Sequence, residues 1–288
     1  MYRIAPLLVV CILLSAGCLA ADDEPPAESG VSLIAPVDPI PIFDGQATYA
    51  GIVGAETPQI RANYSMGYVA IAPGNATPPH RLIGTAELVY VLDGAAEIRC
   101  DNETVTAREG ETVLLPEGVL QSIASAGDAD LRYITVSQPP FTPEIEISGD
   151  GLDAVDVKTD SAPFVVADPR GGIEWSLESG VAVYTLINPV LMNETAIPVG
   201  YSLACVELLP GGYLGYDGIL GSSDLLYVIE GEIEVATPDG ETIRVPAGSA
   251  AYVLPDQVKE TRNAADSTTR LLSFIDPAWT PEKTVLFE

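Results

Sequence analysis

The chain has 288 residues, with 13 Lys and Arg against 41 Asp and Glu and a formal net charge of −28. This length fits two domains, each large enough to bury its own core. So acidic a surface repels polyanions, which argues against nucleic-acid binding, and it is typical of proteins exposed to high salt.

Residues 1–17 have the order of a secretory signal peptide: Arg3 supplies a short positive region, an apolar run follows, and small residues precede Cys18. The segment resembles a lipoprotein lipobox, which implies lipidation of Cys18 and a membrane as partner. Cleavage without lipid and retention as a membrane anchor are the alternatives. Residues 18–30 are acidic and contain prolines, which predicts a flexible tether. The expected location is extracytoplasmic, either lipid-anchored at the cell surface or secreted.

The rest of the chain contains short apolar runs separated by turn residues. The runs are rich in Val, Ile, Leu and Tyr, and Gly, Pro, Asp and Asn interrupt them at Leu92-Asp-Gly94, Pro116-Glu-Gly118 and Pro238-Asp-Gly240. Short strands at regular spacing with such turns predict an antiparallel sandwich or barrel. No window shows a long amphipathic helix, so the sequence predicts an all-β protein.

The two halves of the chain repeat each other. Three pairs align at a shift of 137 residues: Tyr64-Ser65 with Tyr201-Ser202, Glu87 with Asp224, and Gly94 with Gly231. Gly110-Glu-Thr-Val aligns with Gly240-Glu-Thr-Ile at 130, and the closing Pro139-Pro-Phe-Thr-Pro-Glu aligns with Pro277-Ala-Trp-Thr-Pro-Glu at 138. A repeat of this length predicts two copies of one domain, over residues 31–155 and 156–288.

The spacing of residues in the first copy carries a family resemblance. One set falls on Gly, five residues, His, then Glu and Gly: Gly74, His80, Glu87 and Gly94. A second set ends with Gln121 where the family's second motif has a histidine: Gly110, Pro116, Gly118 and Gln121. The chain resembles the cupin superfamily, which implies two tandem cupin-type (double-stranded β-helix, jelly-roll) barrels.

The resemblance implies a metal site in the first barrel, with His80, Glu87 and Gln121 as ligands. Leu82 stands where the family usually places a second histidine and cannot donate a lone pair. Three protein ligands leave an open position for water or substrate, and oxygen-rich coordination favours Mn²⁺ or Fe²⁺. Arg81 is a candidate to orient an anionic substrate. In the alternative reading, His80 bonds to backbone as a core residue and Arg81 pairs with Glu87.

In the second copy the four matching positions hold no histidine: Asp217, Ile219, Asp224 and Ala251. No metal is expected there. The expectation is either a packing surface or a small-molecule pocket, whose candidate lining residues are Tyr213, Tyr216, Asp217, Asp224 and Tyr252. Tyrosines in a β-barrel are also common as plain core residues.

Two cysteines, Cys100 and Cys205, fall in the folded body. They form either a disulfide between the copies or two buried thiols.

Three functions stay open at this point. The preferred hypothesis is a surface-tethered bicupin that binds a small polar ligand such as a sugar or an organic acid. The alternatives are a Mn- or Fe-dependent enzyme of oxygenase, hydrolase or isomerase type that acts through the first barrel, and a structural surface protein. The resemblance also leaves a homo-oligomer open.

Overall fold

The computed structural model describes residues 30–55, 57–154, 162–177, 179–192 and 197–287. The predicted signal peptide, Cys18 and the predicted tether apart from Gly30 lie outside the described residues. Within the described part, no helix is long and apolar enough to cross a membrane.

The first half of the chain contributes twelve described strands: β1 (Val31–Ile34), β2 (Ile40–Ile42), β3 (Ala47–Val53), β4 (Ser65–Ile71), β5 (His80–Leu82), β6 (Ala86–Asp93), β7 (Ala95–Cys100), β8 (Glu103–Arg108), β9 (Thr112–Leu115), β10 (Gln121–Ser125), β11 (Leu131–Gln138) and β12 (Glu146–Ser148). Three 3₁₀ turns accompany them: Phe43–Gly45, Pro143–Ile145 and Gly149–Ala154.

The second half contributes twelve more: β13 (Phe164–Val166), β14 (Ile173–Leu177), β15 (Val181–Ile187), β16 (Ser202–Leu208), β17 (Tyr213–Ile219), β18 (Ser223–Glu230), β19 (Glu232–Ala236), β20 (Thr242–Pro246), β21 (Ala250–Val253), β22 (Lys259–Asn263), β23 (Thr269–Asp276) and β24 (Thr284–Leu286). A fourth 3₁₀ turn covers Pro281–Lys283.

These strands form two barrels, each built from a seven-stranded and a five-stranded antiparallel sheet. The first barrel contains the sheets β13-β9-β6-β11-β4-β3-β2 and β12-β5-β10-β7-β8. The second contains β1-β21-β18-β23-β16-β15-β14 and β20-β19-β22-β17-β24. The predicted all-β, double-barrel architecture is confirmed.

The two halves exchange one strand each. β1 pairs with β21 in the second barrel, with Val31 opposite Val253, and β13 pairs with β9 in the first, with Phe164 opposite Leu114. Neither barrel is therefore built from one half of the chain alone. The predicted boundary at residues 155/156 lies outside the described residues and stays a prediction.

Alternating residues fill each barrel, as a strand with one buried face requires. In β7, Ala96, Ile98 and Cys100 are buried, whereas Glu97 and Arg99 are exposed. Gly94 precedes this strand at φ 78°, and a Cβ there would lie 2.5 Å from the carbonyl oxygen of Asp130. Only glycine fits this hairpin turn, which explains why the motif ends on it.

The structure corrects the alignment of the second motif. The predicted shift of 130 is wrong, because Gly110 is equivalent to Gly248: both have φ 81°, and their N–H groups donate to the carbonyl oxygens of Val91 and Val228. The Gly-Glu-Thr at Gly240 instead belongs to the turn before β20. The shift from β8 onward is 138, so Lys259, and not Ala251, is equivalent to Gln121.

The barrels share an apolar core across their large sheets. The rings of Tyr64, Tyr201 and Phe274 lie 6.0 to 6.2 Å apart by centroid, and all three side chains are fully buried. Tyr64 comes from the first barrel and the other two from the second. Because the same cluster belongs to both barrels, the halves stabilise each other.

Cys100 and Cys205 are free, buried thiols, so the predicted disulfide is wrong and the alternative of two thiols is right. Burial raises the pKa of each thiol to about 11. Neither is therefore a reactive thiolate at neutral pH.

Candidate functional site

Three predicted residues meet inside the first barrel. His80 begins β5, Glu87 lies on β6 and Gln121 begins β10, directly opposite His80 in the ladder. The Gln121 side-chain nitrogen lies 3.1 Å from His80 Nε2 and donates a short hydrogen bond to Glu87 Oε2. Thr135 Oγ1 donates to the other Glu87 oxygen at 2.6 Å. The imidazole faces the barrel interior, and all three side chains are buried.

The hydrogen bonds of this cluster define the tautomer of His80. His80 Nδ1 lies 2.9 Å from the carbonyl oxygen of Pro78, which can only accept, so Nδ1 carries the proton. His80 Nε2 then accepts a hydrogen bond from one N–H of the Gln121 amide, and the second N–H of that amide donates to Glu87. The cluster is a continuous hydrogen-bonded chain from backbone carbonyl to carboxylate.

This donor set does not fit a divalent metal as it is arranged. Ligation would need the amide oxygen of Gln121 to turn inward, which breaks both of its hydrogen bonds and leaves a buried carboxylate with one donor fewer. Leu82 occupies the position of a further ligand. Among the described residues, no group of three or more His, Cys, Asp and Glu side chains converges to hold a metal ion. Metal ligation by His80, Glu87 and Gln121 stays a prediction.

Arg81 lies on the opposite face of β5 from His80. It donates to the carbonyl oxygen of Gly118 at 2.6 Å and pairs with Asp101 at 3.5 Å. The predicted alternative pairing with Glu87 is wrong, because consecutive residues of a strand point to opposite faces. Arg81 is therefore not placed to orient a substrate at His80.

The second barrel carries an equivalent cluster with different chemistry. Lys259 lies opposite Asp217 in the ladder, as Gln121 lies opposite His80. Lys259 Nζ lies 3.0 and 3.2 Å from the two Asp217 oxygens and 3.4 Å from Asp224 Oδ2. Ser273 Oγ donates to Asp224 Oδ1 at 2.8 Å, as Thr135 does to Glu87. A lysine ammonium thus occupies the centre of the second site.

The protonation of this cluster follows from its burial and its charges. Burial alone would lower the pKa of Lys259, but the attraction of Asp217 and Asp224 outweighs it, so the pKa is raised and the lysine stays charged. Burial raises the pKa of Asp224, against the opposing effect of Lys259. A charged lysine is a hydrogen-bond donor and not a nucleophile, which argues against imine formation there.

A cavity of about 590 Å³ opens above the Lys259 cluster. Most of its wall is apolar, from Leu177 and Val206 through to Leu286. The charged residues that line it, Asp217, Asp224 and Lys259, form its floor. This volume and this mixture of many apolar groups and few polar ones are typical of small-molecule sites.

The repeat explains why the cavity lies in the second barrel. Tyr49 and Tyr133 pack in the first barrel, Tyr133 within its buried core, and the ladder registers make Val183 and Leu271 their equivalents in the second. Both smaller residues line the cavity. Two aromatic rings are therefore replaced by aliphatic side chains, and the space they filled becomes the cavity.

Two further features mark the cavity as a site. Thr261 lines it with a hydroxyl that has no hydrogen-bond partner, although the residue is only 1% exposed. An unpaired buried polar group costs stability, so its presence beside an open space points to a missing partner. The indole rings of Trp175 and Trp279 meet edge to face at 5.5 Å on the wall.

The structure brings three of the five residues predicted for the second site to the cavity. Tyr216, Asp217 and Asp224 line the cavity, whereas Tyr213 lies 43% exposed under the guanidinium of Arg262, 5.6 Å away. Tyr252 is buried in the core between the barrels and donates to the carbonyl oxygen of Arg61.

Sequence reasoning missed five lining residues that shape this site: Trp175, Lys259, Thr261, Ser273 and Trp279. For Lys259 a signal existed. The closing segments align at 138, and extending that shift back to Gln121 leads to this lysine.

Two sequence comparisons each match a part of the chain. A family model described as the AraC-like ligand binding domain matches residues 63–146. An uncharacterized protein, MJ1618, of Methanocaldococcus jannaschii is 30% identical over 76 residues, which are 26% of this chain and 61% of that protein. The matched region therefore spans less than two thirds of this curated relative.

Solved oxalate decarboxylases have a similar fold. The Bacillus subtilis enzyme at pH 4.6 superposes with a TM-score of 0.66 at 17% identity, over 84% of this chain and 74% of that one. The Lactobacillus farciminis enzyme in its formate complex gives 0.68 at 14% identity, over 88% of each chain. The chain has the bicupin fold, two cupin-type barrels in one chain. Its first barrel carries the match to an AraC-like ligand binding domain.

Proposed function

We propose that this protein is a small-molecule-binding bicupin in which the second barrel holds the ligand. The first barrel is a closed structural partner, filled by Tyr49 and Tyr133 and crossed by the His80–Gln121–Glu87 hydrogen bonds. The observation that carries the proposal is the cavity of about 590 Å³ with an apolar wall and a polar floor. The ligand has an apolar body and one polar group, which revises the expected small polar molecule.

The proposal keeps the extracytoplasmic tether from the sequence. Residues 1–17 and Cys18 support a lipid anchor that holds the barrels outside a membrane. The mass of the N-terminal peptide tests it, since an unmodified cysteine or an uncleaved leader contradicts lipidation.

Filling the cavity is expected to abolish ligand binding. The variant Val183→Tyr/Leu271→Tyr copies the aromatic residues of the first barrel into the second and leaves Lys259, Asp217 and Asp224 in place. Trp175 and Trp279 are the two tryptophans of the chain, and both line the cavity, so intrinsic fluorescence reports on this site directly. Titration of wild type with 4-phenylbutanol, 4-phenylbutylamine and 5-phenylpentanoate should show saturable binding for at least one probe.

The matched control is Tyr49→Phe, which changes an aromatic residue of the first barrel without touching the cavity. It should bind the probes as wild type does. Failure of all three probes to bind wild type, or unchanged binding in a folded cavity-filled variant, contradicts the proposed function.

Metal analysis separates this proposal from the metal-enzyme alternative. Protein equilibrated with excess Mn²⁺ or Fe²⁺ and passed through a desalting column is expected to retain well below one ion per chain, since the Gln121 amide satisfies both potential ligands. His80→Ala should retain the same amount. Near-stoichiometric metal that is lost in His80→Ala supports the enzyme instead and overturns the assignment of the first barrel.

A further inference from the structure

We infer that the cavity of the second barrel selects organic cations: amines with an extended apolar body, in preference to neutral or anionic analogues of the same shape. The inference rests on the proposed function and names the ligand class of the same site. It departs from the organic acid suggested by the sequence.

The cavity floor carries an excess of negative charge. The described lining residues with charged side chains are Asp217, Asp224 and Lys259, two carboxylates against one ammonium. Both carboxylates lie within 3.4 Å of Lys259 Nζ, so the floor has one negative charge in excess. A carboxylate ligand would be repelled by this negative charge, and none of these residues offers it an uncommitted cation. An ammonium ligand would neutralise the charge.

The floor also has hydrogen-bond acceptors that are not saturated. Lys259 is committed to the two aspartates, so its donors are not available to a ligand. The oxygens of Asp217 and Asp224 have lone pairs left, and these can only accept. A ligand group that donates several hydrogen bonds therefore fits, and an acceptor-only carboxylate does not.

Thr261 supplies a further acceptor that does not depend on the aspartates. Thr261 lies two residues after Lys259 on β22, so the two side chains share the inward face. Its hydroxyl is buried and unpartnered, and it can accept a hydrogen bond from a second N–H of the same ligand ammonium. The floor thus offers acceptors from three strands, β17, β18 and β22.

The wall determines the rest of the ligand. Trp175 and Trp279 present aromatic surface, and Trp279 is held by a hydrogen bond from its Nε1 to Thr284 Oγ1 at 2.7 Å. A volume of about 590 Å³ is several times that needed by a small diacid, so much of the ligand lies against apolar side chains.

The test compares three probes that differ only in their head group: 4-phenylbutylamine, 4-phenylbutanol and 5-phenylpentanoate. Tryptophan fluorescence titrations are run at pH 8 in 0.3 M NaCl, where salt screens the acidic outer surface. The amine should bind wild type about tenfold more tightly than the alcohol, the ratio expected for one favourable charge interaction of about 1.4 kcal/mol. The carboxylate should bind more weakly than the alcohol.

Two variants with the same change in net charge locate the effect. Asp217→Asn removes the excess charge of the floor and should reduce the ratio of alcohol to amine Kd to near one. Asp266→Asn removes an exposed carboxylate of the same barrel and should leave the ratio unchanged. The cavity-filled variant Val183→Tyr/Leu271→Tyr should bind no amine, which distinguishes the cavity from the acidic surface.

The outcomes distinguish failure of the cation preference from failure of the proposed function. Equal affinity of amine and alcohol, or tightest binding of the carboxylate, overturns the cation preference and leaves the proposed function standing. No binding of any probe overturns the proposed function itself. If Asp217→Asn does not fold, as judged by circular dichroism, the ranking of the three probes on wild type decides the inference alone.

Discussion

Replacing Lys259 with Met is expected to lower the free energy of unfolding by about 3–5 kcal/mol, the range for removing one partner of a buried ion pair. The ammonium lies between Asp217 and Asp224 and is itself buried. Without it, two carboxylates face each other in an apolar barrel. Urea unfolding followed by circular dichroism measures the loss, and the outward-facing Arg262→Met on the same strand should cost under about 1 kcal/mol.

The stability lost in Lys259→Met should depend on pH, and further substitutions should restore much of it. Burial already raises the pKa of Asp224, and losing the lysine raises it further. A carboxyl with a raised folded pKa binds its proton more tightly when folded, so the variant regains stability as pH falls and loses it as pH rises through that pKa. Asp217→Asn/Asp224→Asn/Lys259→Met should recover much of the loss. If Lys259→Met alone is as stable as wild type at pH 8, this account of the floor is wrong.

Replacing Phe274 with Ala is expected to cost about 3–5 kcal/mol, the usual range for a fully buried aromatic residue. Its ring contacts both Tyr64 of the first barrel and Tyr201 of the second. The void left by this substitution lies in the core that joins the barrels. Unfolding should therefore remain a single transition, at a lower denaturant concentration. The exposed Phe141→Ala is the matched control and should cost under about 1 kcal/mol.

Two separate transitions in Phe274→Ala would show that the barrels fold independently of this core. Fluorescence of Trp175 and Trp279 follows the second barrel, and far-ultraviolet circular dichroism follows both. Coincidence of the two signals is the expected result.

Local patterns predict much of this fold, because alternation and turn chemistry are properties of short segments. The repeat of Tyr64-Ser65 at Tyr201-Ser202 and the spacing of His80, Glu87 and Gly94 predict two cupin-type barrels. The clustering of His80 with Glu87 is implied by the same motif, although β5 and β6 belong to different sheets. The strand exchange does not, because β1 and β13 are short runs whose partners lie more than 45 residues away in the chain.

The location of the ligand site could not be read from the motif. A histidine draws attention to the first barrel, but the empty space depends on two substitutions far from any motif, at Val183 and Leu271. Their effect becomes visible only when the ladder registers identify Tyr49 and Tyr133 as their equivalents. The false match of Gly240 to Gly110 also hid Lys259, because a repeated tripeptide in a turn outweighed the shift of the closing segment.

The exchange of β1 and β13 has a consequence for any shortened chain. The first half on its own would lack β13, the neighbour of β9, and its β1 would have no sheet to join. The second half would lack β1, the neighbour of β21, and its β13 would have no sheet to join. Two such halves restore both ladders by associating. The tandem chain is thus the covalent form of what separate halves would build as a swapped dimer, and neither half is a minimal unit for expression.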